Sequence, residues 1–229
     1  MPTRNGSKRS KSSERWLREH FADPFVQRAK AEGARSRAIF KLEQIDQREH
    51  LLRPGMLVLD LGAAPGAWSQ YARRRVGVHG RVIASDLLAM APIAGVQFLQ
   101  GDFREPAVFD ALLAALGEAG QQASAPGQAP PDGPPGVDVL LSDMAPNLSG
   151  MDAIDAPRSM HLAELALDMA ERTLKPNGSA LIKVLQGAGF DALVAAARRR
   201  FHKVRFVKPP ASRSRSPETY LLASGKRMV

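Results

Sequence analysis

Residues 56–75, MLVLDLGAAPGAWSQYARRR, decide the fold. Leu57, Val58, Leu59 and Leu61 form an apolar run of the kind found in strands buried on both faces. Gly62 and Gly66 break that run, and AWSQYARRR (67–75) reads as a helix. A buried strand, a Gly-rich turn and a helix make the first unit of a parallel α/β sheet. Ligands of such sheets lie outside the carboxyl ends of the strands. Asp60, Gly62 and Gly66 therefore stand where a ligand is expected, and glycines there let it approach the backbone.

The pattern continues outward from this unit. Upstream, 15–33 and RSRAIFKLEQIDQREHLL (35–52) read as helices, the second with Ile39, Leu42 and Ile45 on one stripe. RPG (53–55) ends it. Downstream, strands are expected at 81–86, 96–102, 137–143, 179–186, 203–209 and 219–225, and helices at 105–118, 157–175 and 190–201. Alternating apolar strands and helices imply a seven-stranded sheet covered on both faces, with the last strand antiparallel because no helix separates the final two. Residues 1–14 read as a basic flexible tail and 15–229 as a single domain. The Pro/Gly-rich segment 118–136 is expected to be a disordered loop inserted before the fourth strand.

Composition narrows the function. The chain has no cysteine, which removes disulfides, thiolate metal sites and cysteine nucleophiles, and suits a cytoplasmic protein. No run approaches ~18 consecutive apolar residues, so no membrane span is expected. The net charge of +9 is uneven: residues 1–37 carry +6 and residues 183–229 carry +9, leaving −6 between them. Two basic ends are expected to form a face for a polyanion, with Arg213 and Arg215 among the phosphate contacts.

The Gly-rich turn is neither G-x-G-x-x-G nor a phosphate-binding loop, since no Gly-Lys-Ser/Thr follows. D-x-G-x-x-x-G is instead the pattern of S-adenosylmethionine methyltransferases. Asp86, ending the second strand, suits ribose hydroxyls; Asp102, after the third, can accept from an adenine amino group. A dinucleotide enzyme shares the first two features, so the turn alone leaves both cofactors open. SDMAPN (142–147) follows the fourth strand without the aromatic that base-amino methylation uses, and C5 methylation of pyrimidines needs the missing cysteine. A hydroxyl acceptor remains.

SALIKVLQG (179–187) places Lys183 in an otherwise apolar strand, where an unpaired ammonium would cost several kcal/mol. A partner across a cleft, Asp143, accounts for it. With SRAIFKL (Lys41), DLGAAPGAWSQ, SDMAPN (Asp143), LIKVLQG (Lys183) and SRSRSPETY (Glu218), the chain resembles the RrmJ/FtsJ (RlmE) family of ribosomal RNA 2′-O-ribose methyltransferases over nearly its whole length except 118–136. The resemblance implies a Rossmann-like class I fold of strand order 3-2-1-4-5-7-6. It implies a catalytic tetrad of Lys41, Asp143, Lys183 and Glu218, with Lys183 as proton acceptor. It also implies S-adenosylmethionine held by Gly62, Gly66, Trp68, Asp86, Asp102 and Asp143, no metal, and a monomer. The implied substrate is a uridine in the A-loop of 23S rRNA within the large ribosomal subunit. This chain departs from the family in its 118–136 insertion and in Pro217 before Glu218.

Overall fold

The computed structural model describes residues 22–123, 136–147, 149–213 and 216–228. Thirteen elements follow one another: α1 (Pro24–Ala31), α2 (Ile39–Glu49), β1 (Leu57–Leu61), α3 (Ala67–Val76), β2 (Arg81–Asp86), β3 (Val96–Gln100), α4 (Pro106–Ala123), β4 (Val137–Ser142), α5 (Asp152–Thr173), β5 (Leu174–Leu185), α6 (Phe190–Arg200), β6 (Phe201–Val207) and β7 (Glu218–Lys226). The strands form one sheet of order β3-β2-β1-β4-β5-β7-β6. Strands β1 to β5 pair in parallel, and β7 runs antiparallel to both β5 and β6. Fold class and strand order are those expected.

Burial follows the sequence pattern. All five residues of β1 are buried, as a central strand with helices on both sides requires. One apolar cluster joins α4, α5 and α6 to the sheet through Leu116, Leu167 and Leu193. The other joins α1, α2 and α3 through Ala29, Leu42 and Ala72. Alternate strand residues serve the two clusters, with Leu57, Leu59 and Leu61 on one side and Val58 on the other. No helix among the described residues is long and apolar enough to cross a membrane.

Several boundaries differ from expectation. Helix α4 runs to Ala123, so the first six residues of the expected loop are helical; EAGQQA is adequate helix sequence and continues the apolar stripe with Ala119. Residues 124–135 and the tail 1–14 lie outside the described residues. Helix α1 begins at Pro24 behind the cap Asp23, whose side chain accepts from Phe25 N at 3.0 Å. Helix α5 begins five residues before its expected start and contains Pro157. It stops at Thr173, and β5 starts immediately at Leu174. The Pro-Asn-Gly stretch is then a bulge within β5, where the pairing to β4 shifts between Leu174 and Ser179.

Candidate active site

The carboxyl edges of β1, β2 and β4 bring the motif residues together. Gly62 (φ 71°) and Gly66 (φ 103°) adopt left-handed backbone that a side chain would strain. A Cβ on Gly62 would stand 2.4 Å from Met144 Cγ, so the β1 turn lies directly against the loop that carries Asp143. Arg35 ties the other side of the turn. Its guanidinium donates to Pro65 O at 3.0 Å, Ala91 O at 2.6 Å and Pro92 O at 2.6 Å, fastening the loop after β2 to the glycines.

Four carboxylates line this edge. Asp60 is fully buried; its Oδ2 accepts from Ser69 Oγ at 2.6 Å and its Oδ1 has no partner among the described residues. Burial pushes its carboxyl up to about 7, helped by the charges of Asp143 and Asp86 and opposed by Ser69. Asp86 accepts from Ala64 N and Leu88 N, both at 2.8 Å, so it shapes the turn. Asp102, two residues beyond β3, pairs with Arg104, whose hydrogen bonds hold it below the usual carboxylate range. The expected part of Trp68 changes. Its indole is buried, donates Nε1–H to Ala38 O at 2.9 Å and tilts against the Tyr220 ring at 5.6 Å. Only its backbone is free to meet a ligand.

Lys41, Asp143, Lys183 and Glu218 form one continuous chain of contacts. Lys41 Nζ reaches Glu218 Oε1 at 2.7 Å. Lys183 Nζ lies 3.0 Å from Asp143 Oδ1 and donates to the Asp143 carbonyl at 2.7 Å. Between the two ion pairs stands Tyr220, with its hydroxyl 2.8 Å from Asp143 Oδ1 and 3.0 Å from Glu218 Oε1. Ser212 Oγ adds a donor to Glu218 at 3.1 Å. Burial raises the Glu218 carboxyl, but Lys41, Lys183 and Tyr220 together outweigh it and hold the group below its ordinary range. Pro217 does not displace Glu218, which opens β7.

Ser212 and Tyr220 open and close the SRSRSPETY motif, but the motif gave a role to Glu218 and none to them. Tyr220 had a signal: it stands two residues after Glu218 in a strand and so shares its face. Ser212 had none, because its loop is set by tertiary contacts such as Arg37 Nη2 to Ala211 O at 2.6 Å. Arg213 leans toward Asp23, with Nη2 to Oδ2 at 3.6 Å, and Arg215 lies outside the described residues.

Residues 34–226 match the sequence model of the FtsJ-like methyltransferases. The chain belongs to that family. A ribosomal RNA large subunit methyltransferase E from Xanthomonas oryzae pv. oryzae is 56% identical over 220 residues, covering 96% of this chain and 97% of the relative. A protein of the same name from Xanthomonas euvesicatoria pv. vesicatoria is 56% identical over the same shares of both chains. A solved structure from Plasmodium falciparum, described as a ribosomal RNA methyltransferase, superposes with a TM-score of 0.68 at 26% identity, over 84% of this chain and 98% of that one. Membership in the FtsJ-like family implies a methyl donor. Among the described residues no group of three or more acidic or histidine side chains is placed to hold a metal ion.

Proposed function

We propose that this protein transfers a methyl group from S-adenosylmethionine to the ribose 2′-hydroxyl of a uridine in the A-loop of 23S rRNA of the large ribosomal subunit. The observation that carries the reading is the Lys41–Glu218–Tyr220–Asp143–Lys183 chain beside the Gly-rich turn, in a chain 56% identical to large-subunit methyltransferases over 96% of its length.

The donor set suits that cofactor. Asp86, Asp102 and Asp143 put negative charge along the carboxyl edge, and beneath them Asp60 Oδ1 has no partner among the described residues. This edge would repel a pyrophosphate and attract a ligand bearing a sulfonium and an ammonium. In this reading Asp86 takes the ribose hydroxyls and Asp102 the adenine, with Gly62, Gly66 and the Trp68 backbone beneath and Asp143 at the reacting end. When bound, S-adenosylmethionine supplies an electrophilic methyl group that needs little activation.

The protein's share of the rate is then position and proton transfer. Holding the ribose oxygen in line is worth roughly 7–11 kcal/mol. Asp143 occupies two of the tetrahedral positions on Lys183 Nζ, through its carboxylate and its carbonyl. One position remains for the cleft. In the neutral amine it is a lone pair that accepts the 2′-hydroxyl proton. In the ammonium it is a third N–H that could only orient the oxygen and stabilise its developing charge. We assign the proton-acceptor role to Lys183; Asp143 orients it, while Lys41, Glu218 and Tyr220 fix Asp143.

Methylation of whole large subunits, free 23S rRNA and tRNA, with mapping of the modified nucleotide, tests the substrate. Lys183→Ala should lose turnover on the order of 10²–10⁴-fold with cofactor binding retained. Lys183→Arg keeps the charge but cannot act as a base near neutral pH, so it should be equally slow. Substantial activity in Lys183→Arg alone would reject the proton-acceptor role. Modification of tRNA with large subunits ignored would reject the substrate.

A further inference from the structure

The C-terminal basic residues do not gather at the catalytic edge. Lys183, Lys208 and Arg213 stand at or near that end of the sheet. Among the described residues, all the others except the mid-strand Arg205 lie at the opposite pole, where β6 begins and β7 ends. Arg198, Arg199 and Arg200 fill the last turn of α6, Lys203 pairs with Ser224 across β6–β7, and Arg227 N donates to Arg200 O at 2.8 Å. Tyr220, beside Lys183, and Lys226, beside Phe201, are six residues apart on one strand, so the two ends are about 20 Å apart.

The acids at this pole are already used. Asp168 and Glu171 hold Arg200 at 2.9 and 2.8 Å, Glu49 holds Arg205, and Asp138 holds Lys175. Arg53, Arg198, Arg199, Lys203 and Arg227 are exposed and have no acidic partner among the described residues. A helix C-terminus favours nearby cations, and a free sheet edge is guarded by charge. Those needs are met by one ion-paired arginine and one lysine. Arg198, Arg199, Lys203 and Arg227 around the start of β6, with Arg53 across the same end of the sheet before β1, exceed them. The patch continues into a recess of about 360 Å³, lined by Arg53, Lys175, Arg205 and the cross-strand pair Ser179 and Ser224, whose hydroxyls can donate.

We infer that this pole is a second RNA-binding surface, which grips backbone phosphates of a segment of the substrate remote from the nucleotide being modified. The inference rests on the rRNA reading above. A surface about 20 Å from Lys183, at the far end of the sheet, is out of reach of the target's immediate neighbours. It serves only a large folded RNA that passes both poles. Guanidinium and ammonium groups release counterions from such phosphates, so its contribution falls with salt.

The experiment compares wild type with R198Q/R199Q/K203Q and with the charge-preserving R198K/R199K/K203R, on large subunits or 23S rRNA and on a short hairpin carrying the target. All three positions are exposed, and thermal melting checks that each variant is folded. The glutamine variant should raise KM for the large RNA on the order of tenfold, with kcat and cofactor affinity unchanged. It should also flatten the log–log salt slope by about two. The hairpin should show no change, and the charge-preserving variant should behave as wild type. A second neutral variant, R53Q/R227Q, should repeat the effect. Wild-type KM and slope in both neutral variants overturn the inference, as does an equal loss on the hairpin. If wild type methylated no rRNA, the substrate reading would fail first, and direct binding of 23S rRNA by the same variants would still decide this surface.

Discussion

Tyr220→Phe removes one oxygen from the centre of the candidate active site. The Tyr220 hydroxyl has one proton and two carboxylate oxygens to give it to, Asp143 Oδ1 at 2.8 Å and Glu218 Oε1 at 3.0 Å. Each oxygen also has a lysine, so neither is orphaned by the change. The loss is one hydrogen bond to a charged acceptor, about 1.5–3 kcal/mol. The vacated space is a single atom, and the ring keeps its packing on Trp68. A domain of this size loses roughly 2–4 °C in Tm per kcal/mol, which predicts a drop of about 3–12 °C.

The same change has a defined pH signature. The folded-state pKa of Glu218 lies below its unfolded value, so Glu218 contributes stability above the unfolded pKa, and that contribution is lost as pH falls through the folded one. Tyr220 is one of the groups that lower it, so the phenylalanine variant should enter its acid transition at higher pH than wild type. Lys183 keeps both contacts to Asp143, so turnover should fall far less than in Lys183→Ala. Thermal melting by circular dichroism from neutral pH into the acid limb, with single-turnover methylation, measures all three. A Tm within a degree of wild type would refute the bridging role. A turnover loss as large as that of Lys183→Ala would mean that the hydroxyl takes part in the chemistry itself.

Two further perturbations probe the cofactor edge. Gly62→Ala introduces a Cβ 2.4 Å from Met144 Cγ at φ 71° and should cost about 2–4 kcal/mol from backbone strain and overpacking together; an unchanged denaturation midpoint with normal cofactor affinity by calorimetry would count against the close approach of the two loops. Asp60 has a folded pKa of about 7, above its unfolded value, so the stability held by its neutral form is complete below ~pH 4 and lost as pH rises through ~7; wild type should weaken on the order of 2 kcal/mol between ~pH 5 and ~pH 8 by a route that Asp60→Asn lacks, and parallel pH curves for the two proteins would contradict this.

Legibility in the sequence tracked how local each cause was. The buried run of β1 and the glycines after it are set by neighbours within a few residues, and both were readable. Lys183 was readable because a strand has a two-residue period and an ammonium in an apolar strand demands a partner. Its partner Asp143 came from the adjacency of the fourth and fifth strands in the usual order of such a sheet. For Trp68 the sequence left open which part of the residue would meet a ligand. The turn that presents its backbone also sends the indole inward, onto Tyr220 and the Ala38 carbonyl, and no spacing in the motif distinguishes the two.

Arg35, 30 residues from Pro65 and 57 from Pro92 in sequence, joins loops whose meeting depends on the finished sheet. Nothing local marks it. Charge divides for a topological reason. In a parallel α/β sheet every helix returns the chain to the pole opposite the strand ends that carry the site. A basic last turn, such as Arg198–Arg200, therefore lies far from the catalytic edge however close it stands in sequence to Lys183. The sum of +9 over residues 183–229 hides that division. Assigning each residue to a strand's carboxyl end or a helix's last turn recovers it, and divides the basic C-terminal residues between the two poles.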